Sequence, residues 1–95
     1  MNRIGVSFKS RLSPDEIRVR FVQPLRTAIE EARAGIYSNY LRQADDHVDG
    51  PDEHLLIFHV HEFETGLRLL RTTAEQLGPL PGLLFHNLDP SAPMY

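Results

Sequence analysis

The chain contains no cysteine. That excludes a disulfide framework and any thiolate metal site, and it suits a reducing compartment. No stretch approaches the ~20 consecutive apolar residues of a membrane span. The opening residues, Met1 to Phe8, hold no apolar run long enough for a signal peptide. A soluble, cytoplasmic protein is therefore expected, with no membrane partner. Catalytic signatures are missing as well: there is no G-x-G-x-x-G, P-loop, G-x-S-x-G or H-E-x-x-H. Ser7, Ser10, Ser13 and Ser38 have no neighbouring base in sequence to activate them. Asp45-Asp46 and Asp52-Glu53 are carboxylate pairs, but they fall in a polar stretch, away from the apolar surroundings that acid–base work needs. No catalytic residue and no cofactor are expected, and an enzyme is the less favoured reading.

Ninety-five residues, 41% hydrophobic and 24% charged, make one ordinary globular domain. A chain of this size buries roughly 60–65% of its unfolded surface, enough for one core. The net charge of −3 hides an asymmetry. Residues 1–43 carry eight basic and four acidic residues, whereas residues 44–95 carry two basic and nine acidic ones. From Ala44 to Glu64 there are seven carboxylates and no Lys or Arg. Such a patch attracts a basic partner and repels nucleic acid.

In chain order, Ile4, Val6 and Phe8 alternate with Gly5 and Ser7, which predicts a half-buried strand. Ser13-Pro14-Asp15-Glu16 is a helix start: Ser13 caps, Pro14 suits the first turn, and Glu16 closes a capping box. Ile17, Phe21, Leu25, Ala28, Ile29 and Ala32 then share one helical face. Pro24 predicts a kink or break in that helix, and Gly35 is a candidate for its C-terminus. Ile17 to Phe21 also alternates with period two, so strand competes with helix there; the capping signal favours helix. Ile36 to Gln43 reads as a strand, and Ala44 to Glu53 as an acidic loop punctuated by Gly50-Pro51. The apolar run Leu55 to Val60 predicts a central strand from His54 to His61. Phe63, Leu67, Leu70, Ala74 and Leu77 predict a helix that ends at Gly78-Pro79. Leu83 to Leu88 is a last strand, and residues 89–95 form a Pro-containing tail.

The order βαββαβ predicts an α+β domain over residues 1–88, a ferredoxin-like two-layer sandwich. Its four-stranded antiparallel sheet has both helices on one face, and the first and third strands are central. Alternation assigns Leu56, Phe58 and Val60 to the covered face. The open face then shows Leu55, Ile57, His59 and His61, joined by Tyr37 and His86. This mixture of aliphatics, aromatics and His is typical of an interface. His59 and His61 point the same way on a strand, so with a third ligand from His86, Glu62 or Glu64 they are candidates for a metal site. Two ligands are too few without it, and no metal is expected.

A small stand-alone domain, an acidic loop and the helical run Phe63-Glu-Thr-Gly-Leu-Arg-Leu-Leu-Arg together resemble, in layout, the small bacterial immunity proteins that neutralise toxins of interbacterial competition. No diagnostic motif accompanies the likeness. It implies a non-enzymatic inhibitor that binds a basic toxin domain. The partner-binding residues are then Asp45, Asp46, Asp49, Asp52 and Glu53, with the adjacent Leu55, Ile57, His59 and His61. The layout is also similar to dimeric α+β barrel proteins, which pair the open sheet faces of two subunits. That likeness implies a homodimer with a small-molecule or metal site lined by His59, His61 and His86.

Overall fold

A computed structural model describes residues 2–43, 51–78 and 80–88. Strand β1 is Asn2–Ser10, β2 is Gly35–Gln43, β3 is Asp52–Val60 and β4 is Leu84–Asn87. One helix lies between β1 and β2 and a second, Phe63–Gln76, between β3 and β4. The strands form one sheet in the order β2-β3-β1-β4, with every neighbouring pair antiparallel. The domain is α+β, and β1 and β3 are its central strands. No helix among the described residues is long and apolar enough to cross a membrane.

The core lies on one side of this sheet. Ile4, Val6 and Phe8 of β1 and Leu56, Phe58 and Val60 of β3 are fully buried. They pack with Ile17, Phe21, Val22, Leu25 and Ile29 of the first helix and Leu70 and Ala74 of the second. The alternation read from the sequence thus sorts the two central strands correctly, because successive side chains on a strand face opposite ways. Phe8 meets Phe21 edge-on at 5.1 Å, which ties the first helix to β1.

The first helix starts as its capping box dictates. Ser13 Oγ accepts from the Glu16 amide at 3.3 Å, and Glu16 Oε1 accepts from the Ser13 amide at 3.4 Å. Residues 17–22 are helical, so the competing strand reading fails. Pro24 does not break the helix. Pro14–Ile17 is α-helical, Arg18–Val22 is a π-turn, and Gln23–Glu31 returns to α. In the wider turn the Gln23 amide reaches back to the Arg18 carbonyl. The looser spacing ahead of Pro24 accommodates a ring that would crowd the Arg20 carbonyl at α spacing.

Gly35 is not the helix cap. The chain leaves the helix through Arg33, which takes φ 54°. The Ala34 amide bonds the Ile29 carbonyl and the Arg33 amide bonds the Glu30 carbonyl, a Schellman motif with Arg in the left-handed position. Gly35 opens β2 instead, because a Cβ there would fall on the His59 carbonyl oxygen. Gly78, with φ 101°, does cap the second helix as its sequence signal implies.

Both boundaries of β3 differ from expectation. β3 begins at Asp52, so Asp52 and Glu53 are strand residues and not loop residues. It ends at Val60, which leaves His61 just beyond the sheet. Cross-strand pairing with Arg42 and Lys9 carries β3 out to Asp52. The acids Asp45, Asp46 and Asp49 and the tail 89–95 lie outside the described residues.

Arg33 and Gly35 make a paired prediction about stability. Arg33→Gly should raise unfolding free energy by about 0.5–1 kcal/mol, since an L-residue is unfavourable at positive φ. Gly35→Ala should lower it by more than about 1 kcal/mol, because backbone cannot move aside for the methyl. Urea unfolding of both variants checks the opposite signs.

Candidate functional site: the open face of the sheet

Among the described residues, no helix covers the second face of the sheet. Its side chains fall into four rows that run across the strands. The first row is Gln43, Glu53 and Lys9; the second is Leu41, Leu55, Ser7 and Leu84. The third is Asn39, Ile57, Gly5 and His86; the fourth is Ile36, His59 and Arg3. Leu88 closes the fourth row, since its amide bonds the Arg3 carbonyl and its side chain lies over Gly5. Ile36, Leu41 and Leu84 are 51%, 50% and 57% exposed, high values for large aliphatics. Leu55, Ile57, His59, His86 and Leu88 are half-buried.

The expected residues are therefore divided. Leu55, Ile57, His59 and His86 sit on the open face as the alternation implied. His61 is exposed but lies past the strand. Tyr37 is on the other side, packed edge-on against Phe58 at 5.5 Å. The cause is a β-bulge in β2, where the register slips between Tyr37 and Asn39. One extra residue reverses the face of everything before it. The bulge puts both Tyr37 and Tyr40 on the covered side, although they are three positions apart.

The three histidines named as metal candidates are spread over β3, the turn after it and β4. Among the described residues no group of three His, Asp or Glu side chains is arranged to hold a metal ion. His86 is instead engaged by Ser7, with Oγ and Nε2 2.8 Å apart. A hydroxyl on an imidazole is the geometry of an activated nucleophile. Ser7, however, is only 4% exposed, in the middle of a central strand. Sequence could not have paired them: they are 79 residues apart and meet only through the β1–β4 register.

Leu55 stands as a ridge between two hollows. One, of about 240 Å³, is lined by Ser7, Glu53, Leu55, His86 and Leu88. The other, of about 360 Å³, is lined by Leu41, Arg42, Gln43, Glu53 and Leu55. Glu53 borders both, and is the described acid that projects onto this face. Asp52 is held on the covered side by Arg42, whose Nε donates to its Oδ2 at 2.6 Å.

A polar cluster beneath the sheet was not visible in the sequence. His54 is fully buried. Its Nε2 lies 3.0 Å from the Ser10 carbonyl, which can only accept, so Nε2 carries the proton. Nδ1 is then the acceptor for the Tyr40 hydroxyl at 2.6 Å. The imidazole stacks between Phe8 and Tyr40. Every polar atom of the ring is satisfied, which is what its burial requires. Burial holds the Tyr37 and Tyr40 hydroxyls above the usual value of 10.0, against the opposing pull of Arg18 and Arg26 on the first and Arg42 and Arg18 on the second.

No protein-family model matches this chain, and no curated protein does.

The raised tyrosines set the alkaline behaviour. A phenol held protonated in the fold but released in the unfolded chain contributes stability that is complete below pH 10 and lost as pH rises beyond it. Unfolding free energy should fall above that pH, and Tyr37→Phe should flatten the fall. Tyr40→Phe should flatten it too, but at neutral pH it should cost about 1–3 kcal/mol by leaving His54 Nδ1 without a donor. Denaturant melts across pH 7–11 check both effects.

Proposed function

We propose that this chain is a non-enzymatic protein-binding module, and that it binds through the open face of its sheet. One observation carries the reading: the second, third and fourth rows expose large aliphatics on a surface rimmed by Glu53, Lys9 and Arg3. A monomer's surface seldom leaves such apolar residues contiguous without a partner. An apolar centre with a charged rim is also the composition of protein interfaces. The centre supplies affinity through desolvation, and the rim supplies register and rate.

The order of strands and helices fits a ferredoxin-like arrangement, in which one sheet face stays free for such a contact. The immunity-type inhibitor is one form of this function. In that form Glu53 and the acidic stretch before it meet a basic toxin domain, while Leu55 and Ile57 provide the apolar contact. What favours binding over catalysis is the 4% exposure of Ser7 in the middle of a central strand.

Site-specific photo-cross-linking in cells tests the reading. A benzophenone side chain placed at position 41 should capture one polypeptide that mass spectrometry identifies. The same group at position 72, on the helical layer, should not. Ile57→Lys should abolish the adduct. No polypeptide adduct from position 41, or the same adducts from both positions, would overturn it.

A further inference from the structure

We propose that the hollow beside Ser7 receives one arginine side chain of the partner polypeptide, its stem against Leu55 and Leu88 and its guanidinium on the Glu53 carboxylate. The inference rests on the reading of this face as a protein-binding surface and names the chemistry of the partner.

The hollow has two unlike ends. Toward the third row it is closed by apolar side chains: Leu55 and Leu88 both lean over Gly5, where an added Cβ would lie 2.9 Å from a methyl of each. Toward the first row it ends at Glu53. Between these ends Ser7 and His86 are bonded to each other. Glu53 is exposed, and with the described residues it makes no hydrogen bond and no ion pair. Its carboxylate is therefore the polar group of this lining that still lacks a partner.

Two cations stand nearby, and neither is paired with Glu53. Lys9 is opposite Glu53 in the ladder, but its stem lies toward Gly82, 3.5 Å from where a Cβ of that residue would stand. Arg42 is held by Asp52 on the covered side. The surrounding chain adds to the local field: from Ala44 to Glu64 it has seven carboxylates and no Lys or Arg. An apolar slot that ends at an open carboxylate is the complement of a side chain with an apolar stem and a cationic head.

Volume and charge choose among the occupants. At about 240 Å³ the hollow is below the ~300–1,000 Å³ of pockets that take whole small molecules, and one long side chain suits it. An acidic side chain would be repelled by Glu53. An aliphatic one would take Glu53 out of water without pairing it. Arginine is preferred to lysine because its guanidinium is weakly hydrated and its fork bonds a carboxylate through two N–H groups. The second hollow does not compete for the cation, since Arg42 is part of its lining and like charges repel. Its Leu41 and Leu55 walls suit an apolar neighbour of that arginine.

N-propylguanidinium is an arginine side chain cut free of its backbone, and N-propylurea is a neutral molecule of the same shape. In an amide NMR titration propylguanidinium should move the signals of Ser7, Leu55 and His86. Its dissociation constant should be in the tens of millimolar, as so small a ligand allows. Propylurea should bind about fivefold or more weakly, and Glu53→Gln should bring the two probes level. Because Glu53 is exposed and unbonded, this variant keeps the fold, and unchanged amide signals on the covered side verify it. Equal binding of the two probes by the unmodified chain would overturn the proposal. So would a preference that survives Glu53→Gln, or the absence of a saturable shift at these three residues.

The photo-cross-link separates this contact from the wider reading. With benzophenone at position 41, adding Glu53→Gln should cut the adduct about fivefold or more. An undiminished adduct overturns the arginine contact and leaves the binding-module reading in place. No adduct from position 41 even with Glu53 intact overturns that reading, and the contact with it.

Discussion

The antiparallel ladder between β1 and β3 is the constraint on which the rest depends. It pairs Asn2 with Val60 at one end and Ser10 with Asp52 at the other, without interruption. Both strands carry an alternating pattern, so this register puts every large aliphatic of β1 on the same side as Leu56, Phe58 and Val60. A slip of one residue would place Phe58 opposite Arg3 or Gly5 and turn the core outward. The two helices have a continuous apolar floor only because that slip does not occur. The same ladder gives the opposite face its character, because β1 offers Gly5 and Ser7 there while β3 offers Leu55 and Ile57.

The edges of the sheet are organised by departures from regularity. The bulge in β2 recruits Tyr37 and Tyr40 to the covered side, where one packs on Phe58 and the other completes the His54 network. The π-turn lets Pro24 sit inside a continuous helix, with the core residues Phe21, Val22 and Leu25 close around it. Arg33 takes a left-handed conformation at the helix end, and Gly35, two residues on, lies where β2 comes down on the His59 carbonyl. In each case a local irregularity is balanced by a contact distant in sequence.

Much of the candidate surface could be read from alternation. Leu55, Ile57 and His59 are where a period of two places them, and so is His86. The errors have a common origin. Tyr37 was misplaced because a bulge is an extra residue with no compositional mark. His54 looked like a strand end and is a buried, doubly bonded imidazole, since its partners Tyr40 and Ser10 come from two other parts of the sheet. Spacing along one strand says nothing about β4, so sequence alone could not decide whether His86 joins His59 and His61. Ser7 and His86 were not paired for the same reason.

Sequence by itself determined the elements, their order and the faces of the central strands. Those properties depend on capping, turn residues and periodicity, all of which act over a few neighbouring residues. Tertiary structure alone decided the β2 register, the burial of His54, the Ser7–His86 contact and the pairing of large with small residues across the open face. These depend on which strands lie side by side and in what register. That choice is made by the packing of the whole chain and leaves no local signal to read.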